Sequence, residues 1–426
     1  MVEWISTTLG EIVKNGSGRI QTGPFGSQLH ASDYVDAGIP CIMPTNMKDN
    51  RVDLTGIAFI TEEDARRLSQ HLVQEGDIVY SRRGDVTQKA LIRKHEVGYF
   101  CGTGCLLVRA GKKIDAGFLT YHLSTPSNQN WIMNQAVGAH MPNLNTGILA
   151  KVPLRVPPLA EQQKIAAALS AFDAKIDLNN RINAELEALA KTIYDYWFVQ
   201  FDFPDANGRP YKSSGGAMVW NDTLKREIPA GWVTGSLDDL GHIVGGSTPS
   251  TANPEHFGKD MIPWITPKDL SNNKGNKFIA RGETDVSEAG KRSASLTLYP
   301  AGTVLMSSRA PVGYLAIALN SLTTNQGFKS FVPTKGYGTS FVYYAVERSL
   351  PTIIQYASGS TFVEISGGVL KSVRAVLPDK SVTSTFCDHI EPIVKRQQQA
   401  ELENVELTQL RDWLLPLLMN GQVRVA

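Results

Sequence analysis

Ile132-Met-Asn-Gln-Ala-Val-Gly-Ala-His-Met-Pro-Asn-Leu-Asn-Thr-Gly-Ile-Leu-Ala-Lys-Val-Pro-Leu-Arg-Val-Pro157 returns later in the chain as Ile353-Ile-Gln-Tyr-Ala-Ser-Gly-Ser-Thr-Phe-Val-Glu-Ile-Ser-Gly-Gly-Val-Leu-Lys-Ser-Val-Arg-Ala-Val-Leu-Pro378. Ile132, Ala136, Gly138, Gly147, Leu149, Val152 and Pro157 recur at one constant offset as Ile353, Ala357, Gly359, Gly368, Leu370, Val373 and Pro378. Two copies of one unit are therefore present. Working outward, Ile39-Pro40-x-Ile42-x-Pro44 matches Ile262-Pro263-x-Ile265-x-Pro267, and Gly76 to Arg83 matches Gly302 to Arg309. Phe118-Leu-x-Tyr121-x-Leu123 matches Phe341-Val-x-Tyr344-x-Val346, a short amphipathic helix in each copy. Short apolar runs broken by glycine, proline and polar turns predict strands at Cys41-Ile-Met, Asp77-Ile-Val-Tyr, Cys105-Leu-Leu-Val, Trp264-Ile-Thr, Thr303-Val-Leu-Met and Phe328 to Val332. Each copy is thus mixed α and β. Their central stretches differ most, as expected if each framework carries a recognition surface for its own target.

Both copies stop at a proline and hand over to a segment of different character. After Pro157-Pro158, residues 159 to about 198 contain no Gly or Pro, and apolar residues fall at Ile165, Leu169, Phe172 and Ile176, then Ile182, Leu186, Leu189, Ile193 and Tyr196. Steps of three and four predict a helix with a coiled-coil seam, which Asn179 and Asn180 interrupt. The second copy repeats this from about 379 to 418 with Phe386, Ile390, Ile393, Leu407, Leu410, Leu414 and Leu417; Pro392 should kink it, and Gln397 to Gln399 leave a polar centre. A helix of about forty residues rises roughly 60 Å. An amphipathic helix that long needs a partner, and the other long helix is the nearest one; the alternative is that each helix packs back on its own domain. The expected fold class is α+β, with two similar mixed α/β domains separated by two long helices that form an antiparallel coiled coil. Between the halves, the turn-rich, aperiodic stretch from Phe201 to Gly216 reads as a linker.

Composition excludes several classes. The 426 residues exceed one ordinary core and carry a net charge of +1, so the clearly basic footprint of many nucleic-acid binders is absent overall. Locally, Arg82, Arg83, Lys89, Arg93, Lys94, Arg109, Lys112 and Lys113 stand against only Asp85 and Glu96, a pattern that fits either a solvated sheet edge or a nucleic-acid contact. No apolar run could span a membrane, no secretory signal opens the chain, and the four cysteines form no disulfide framework; a cytoplasmic protein is expected. Cys101 and Cys105 lack a nearby histidine to complete a zinc set, so no metal is expected. Phosphate-binding Gly-x-x-x-x-Gly-Lys-[Ser/Thr], a dinucleotide fingerprint, His-Glu-x-x-His and Gly-x-Ser-x-Gly are all missing, and Asn253-Pro254-Glu255-His256 breaks the Asn/Asp-Pro-Pro-aromatic pattern of amino-methyltransferases at its third position. Binding is favoured over catalysis.

The chain resembles the DNA-specificity (S) subunit of type I restriction-modification systems over essentially its whole length. The resemblance is carried by Pro157-Pro-Leu-Ala-Glu-Gln-Gln-Lys-Ile, Tyr194-Asp-Tyr-Trp-Phe, Phe201-Asp-Phe-Pro, Pro210-Tyr-Lys-Ser-Ser-Gly-Gly, Gly245-Gly-Ser-Thr-Pro-Ser-Thr, Ile262-Pro-Trp-Ile-Thr-Pro-Lys-Asp-Leu and Leu410-Arg-Asp-Trp-Leu-Leu-Pro-Leu-Leu-Met-Asn-Gly. It departs at Asp379-Lys-Ser-Val-Thr, where the second helix lacks the Leu-x-Glu-Gln-Gln entry of the first. The resemblance implies two target-recognition domains, each reading half of a split site in double-stranded DNA, with the long helices fixing the gap. It further implies that methylation belongs to two modification (M) subunits using S-adenosylmethionine, and cleavage to ATP- and Mg-dependent restriction (R) subunits, with no cofactor on this chain. The implied organisation is a first recognition domain at 1–158, a helix at 159–200, a linker at 201–228, a second recognition domain at 229–378, and a helix with tail at 379–426.

Base edges are read by Arg on guanine and by Asn or Gln on adenine, while Lys positions on phosphate. The expected DNA contacts are Asn46, Lys48, Arg82, Arg83 and Lys89 in the first copy, and Lys268, Asp269, Ser308, Arg309 and Gln326 in the second. His140 and Thr361, which follow equivalent glycines, are expected at loop tips. A structural adaptor that binds protein through the repeated domains is the alternative, and a nuclease acting alone is a third reading.

Overall fold

The computed structural model describes residues 4–136, 142–309, 311–357 and 364–425; His140 and Thr361 lie outside the described residues. The chain divides into two compact units, Met1–Ile176 with Glu406–Ala426, and Asp177–Val405. Each long helix is therefore shared: the start of the first and the end of the second belong to one unit, and the remaining parts to the other.

In the first unit, Cys105–Arg109 is flanked by Arg19–Thr22 and Asp77–Ser81, and Lys89–Leu91 adds to Asp77–Ser81, all antiparallel. A second, mixed sheet runs Phe100–Cys101, Ile39–Ile42, Ala58–Ile60, Tyr34–Val35, with Phe100–Cys101 parallel to Ile39–Ile42. Ile5–Thr8 pairs antiparallel with Pro153–Val156 and so ties the start of the unit to the strand that leads into the long helix. The second unit repeats this plan. Lys329–Val332 lies between His242–Gly245 and Val304–Met306, a mixed sheet pairs Ile262–Ile265 in parallel with Thr323–Thr324, and Val233–Ser236 pairs with Arg374–Leu377. Buried, β-branched and aromatic residues fill the central strands of both, with Ile78, Val79, Tyr80, Leu106 and Leu107 in one and Val304, Leu305, Met306 and Phe331 in the other fully or almost fully excluded from solvent.

The helices after the central strands differ between copies. Ala116–Leu123 ends at Ser124, and a new helix starts at Pro126, where proline suits a first-turn position. The counterpart, Thr339–Tyr356, is continuous and carries Pro351 inside it. The linker stretch is ordered by its aromatic and acidic residues. Phe203 stacks between Tyr211 and Trp232 at 4.6 and 4.9 Å, and Asp202 accepts hydrogen bonds from the Ser213 amide and hydroxyl. Phe201 and Phe203 are buried in the second unit's core, because aromatic side chains spaced between turns can bury area without any periodicity.

Two long helices, Leu159–Tyr194 and Lys380–Met419, pack together and run antiparallel within each unit. In the first unit Ile165 and Leu169 bury themselves beside Leu415, Leu418 and Met419, each such side chain contributing about 1.5–3 kcal/mol. In the second, Ala190, Tyr194, Trp197 and Phe198 meet Phe386 and Ile390. The second helix runs unbroken through Pro392, and Asp379 precedes it with its carboxylate accepting from the Ser381 amide. The predicted seam holds only in part. Leu189 is 49% exposed and Leu410 44%, whereas Asn179, Asn183, Gln397 and Glu401 are buried. Asn179 does not interrupt the interface; it lies inside it, because its Nδ2 donates across the pair to Glu403 and Asn404.

Candidate nucleic-acid interface

Equivalent turns in the two units present equivalent arginines. The strand Asp77–Ser81 leads into Arg82-Arg83, and Val304–Met306 leads through Ser307 into Ser308-Arg309. Arg82 N donates to Gly104 O at 2.8 Å and Leu144 N donates to Arg82 O at 2.9 Å. In the second unit Ser308 N donates to Gly327 O at 2.8 Å and Ile365 N donates to Ser308 O at 3.0 Å. Arg83 then bridges Asn143 in antiparallel pairing, as Arg309 bridges Glu364. Backbone bonds on both sides thus fix where each arginine stands. Arg83 is exposed and Arg309 half-buried.

A glycine-anchored loop lies beside each turn. A Cβ on Gly23 would collide with the Gly102 carbonyl, and one on Gly246 with those of Thr324 and Asn325, so only glycine lets these loops approach. In the second unit Thr248 on that loop donates to Gln326, Pro267 packs against Gly327, and the Arg309 guanidinium borders the same glycine. The structure therefore brings Arg309, Gln326 and the helix carrying Lys268 together. Lys268 is exposed and ion-paired with Glu283 at 2.7 Å. In the first unit Pro44 borders Gly104, the counterpart of Gly327, and the neighbouring Thr103 meets the Tyr34 hydroxyl at 3.4 Å. Arg82 Nε donates to Asn143 Oδ1 at 3.3 Å.

Several expected contacts turn inward. Asn46 is buried; its Oδ1 accepts from the Met43 amide at 3.2 Å and its Nδ2 donates to Asp53 O at 3.2 Å. Asp269 is its counterpart: its carboxylate accepts from the Thr266 amide and hydroxyl and from the Glu283 amide. Both close capping boxes, the reason a polar side chain is needed three residues into a turn that starts with proline. Ser308 is fully buried, with no partner for its hydroxyl among the described residues. Lys89 is 3% exposed, its Nζ 5.8 Å from the Tyr80 ring centroid, and burial pushes its pKa down to about 7 against the opposing pull of Asp85. Lys48 is exposed, but on a separate hairpin whose Asp49 and Asn50 both have positive φ, the geometry of a tight two-residue turn.

The reading from sequence did not single out Thr103, Thr248 and Phe25, which lie on or beside the glycine-anchored loops. Phe25, two residues after Gly23, is 55% exposed. The signal available was Gly23-Pro-Phe-Gly26 against Gly245-Gly-Ser-Thr248, which the offset between copies aligns only once Gly23 and Gly246 are seen to occupy the same place.

Among the described residues no group of three or more His, Cys, Asp and Glu side chains could hold a metal, and no helix is long and apolar enough to cross a membrane. A duplicated α/β framework that offers a matched arginine turn in each copy, attached to two long packed helices, defines a two-domain scaffold with one such turn per domain. The family model described as Type I restriction modification DNA specificity domain matches residues 1–188 and again 229–406, and the chain belongs to that family. It is 24% identical to the HindI specificity subunit of Haemophilus influenzae, covering 99% of this chain and 100% of that one. To the MjaIX specificity subunit of Methanocaldococcus jannaschii it is 40% identical over 200 residues, 44% of this chain and 45% of the relative. The crystal structure of the type I restriction-modification S subunit from M. genitalium has the same fold, with a TM-score of 0.56 at 15% identity over 98% of this chain and 96% of that one. In such systems the specificity subunit is not the enzyme, and cofactors belong to the modification and restriction subunits.

Proposed function

We propose that this chain reads a bipartite DNA site with a fixed gap, residues 1–158 engaging one half-site and 229–378 the other, with the long helices as the spacer. The observation that carries the reading is the recurrence of one backbone-fixed turn, Arg82-Arg83 and Ser308-Arg309, in two units whose surrounding loops differ in chemistry. A guanidinium on a rigid turn loses little entropy on contact and can fork to a guanine edge. Arg83, Arg309 and Gln326 are the proposed base contacts; Arg82, Lys48 and Lys268 are proposed for phosphates. Asn46, Asp269, Ser308 and Lys89 are reassigned to holding the turns and core. Linking two readers makes the second contact intramolecular, so affinity depends on a gap that matches the spacer. Two modification subunits with S-adenosylmethionine and ATP-driven restriction subunits complete the proposed cytoplasmic assembly.

The test is to express the chain with its methyltransferase partner and sequence modified adenines. A single split motif with one gap length is expected, and Arg83→Ala should relax one half of it while Arg309→Ala relaxes the other. Methylation at a continuous motif, or both substitutions acting on the same half, would refute the assignment.

A further inference from the structure

The middle of the helix pair is held by side chains that are costly to bury. Asn179 Nδ2 donates to Glu403 Oε2 at 2.8 Å and to Asn404 Oδ1 at 3.0 Å, and Asn404 Nδ2 donates to Asn180 Oδ1 at 2.8 Å. Gln397 Nε2 donates to the Asn183 carbonyl at 3.3 Å and to Glu187 Oε2 at 3.0 Å. Asn183 is 4% exposed, yet neither its Oδ1 nor its Nδ2 has a partner among the described residues, and the same holds for Asn179 Oδ1. Leucine at these positions would remove unsatisfied polar groups and bury more apolar area. Stability alone does not account for this concentration of amides in a seam. Meanwhile Leu178, Leu189, Leu402 and Val405 stay exposed on the same stretch.

An apolar seam tolerates a slip of one helical turn, since one leucine packs nearly as well as the next. A seam of paired amides does not. One turn to either side of Asn404 stand Ala400 and Thr408, neither of which can reproduce the exchange with Asn179 and Asn180. A slipped pair would leave the buried amides of Asn179 and Gln397 without their partners, and buried polar residues of this kind specify helix register.

The geometry points to the amide interlock of Asn179, Asn180, Gln397 and Asn404, beside the unpaired amide of Asn183, as a specificity determinant: it fixes the register of the two helices and so selects one gap length between the half-sites. The inference rests on the bipartite reading above. A slip of one turn moves one helix past the other by about 5.4 Å, and duplex DNA rises about 3.4 Å per base pair, so each slip changes the gap by one or two base pairs.

The experiment compares methylation by the wild-type chain and by Asn179→Leu/Asn183→Leu/Asn404→Leu, each in complex with its methyltransferase, on an oligonucleotide panel in which only the gap length varies. Gln397 is left alone because Lys277 depends on it. Wild type should use one gap at least tenfold better than any other; if it does not, the bipartite reading itself fails. The triple variant should melt cooperatively and use a second gap, one or two base pairs away, at least tenfold better than wild type uses it. Should it not melt cooperatively, Asn179→Ala/Asn404→Ala is read in the same way, with the same expected gain. A cooperatively melting variant that keeps a single unchanged gap overturns the inference while leaving bipartite recognition intact.

Discussion

Replacing Glu187 by Gln should destabilise the second unit by about 2–4 kcal/mol, although the substitution keeps the size and shape of the side chain. Lys277 is 3% exposed and its ammonium meets Glu187, Tyr344 and Gln397. Of these only Glu187 carries a charge. Burial pulls the Lys277 pKa down while Glu187 pulls it back up, and burial raises that of Glu187 until Lys277 and Gln397 outweigh it and leave it lowered. Each partner thus draws the other towards its charged form. Glu401 is a poor substitute, because burial raises its pKa to about 7 even though its carboxylate accepts the Lys277 and Phe278 amides at 2.8 and 2.9 Å. Breaking a buried pair usually costs about 3–5 kcal/mol, and the 23% exposure of Glu187 lowers the expectation because water partly replaces the lost charge. At roughly 2–4 °C per kcal/mol for a unit of this size, the melting temperature should fall by about 4–16 °C. Calorimetry should show this fall in a single transition, and Lys277→Met added to Glu187→Gln should recover most of it by removing the stranded charge. If Glu187→Gln melts within 1 °C of the parent, or the second substitution deepens the loss, the ion pair does not organise this junction.

Lys89→Met should stabilise the first unit and leave half-site choice unchanged, since the ammonium lies in the core. Its folded pKa of about 7 lies below the ordinary 10.5, so between those values the unfolded chain holds the extra proton and stability rises with pH, by at most about 1.4 kcal/mol per unit. Urea titrations from pH 7 to 10 should show that slope in the parent and lose it in the variant; equal slopes would count against burial of the charge. Asn46→Ala should cost about 0.5–2 kcal/mol by opening its capping box, with denaturation midpoints as the measure and unaltered motif preference as the control. Arg83→Ala should cost roughly 1–3 kcal/mol in discrimination at one base pair, read from competition binding by the assembled complex, whereas loss spread evenly over all sequences would make Arg83 a phosphate contact. In the first unit Arg411→Met should destabilise by taking from Asp173 the guanidinium that contacts it at 2.7 Å, while the Tyr121 hydroxyl still donates to it; an unchanged unfolding midpoint would show that solvent already screens the pair.

Much of the fold was legible because its signals are local. Short apolar runs bounded by glycine, proline and polar turns marked the central strands, and the Pro157-Pro158 entry marked the first long helix. The candidate site was harder to read. Asn46 and Lys89 look like surface residues by type, but a capping box engages one and the Tyr80 face covers the other. Phe25 and Thr248 were invisible as counterparts until Gly23 and Gly246 were seen to press on matching carbonyls.

What the amino-acid order determined by itself is the duplication, the two long helices and the absence of catalytic motifs, since repeats, helical periodicity and missing signatures are properties of spacing along the chain. The tertiary structure alone decided which side chains turn outward and which face of each helix is buried. Ile182, Leu186 and Leu189 have helical spacing, as do Asn179, Asn183 and Glu187, and periodicity scores apolar residues without knowing what stands opposite. Once Gln397, Glu403 and Asn404 supply hydrogen bonds across the pair, the polar face goes inside and Leu189 is left to solvent.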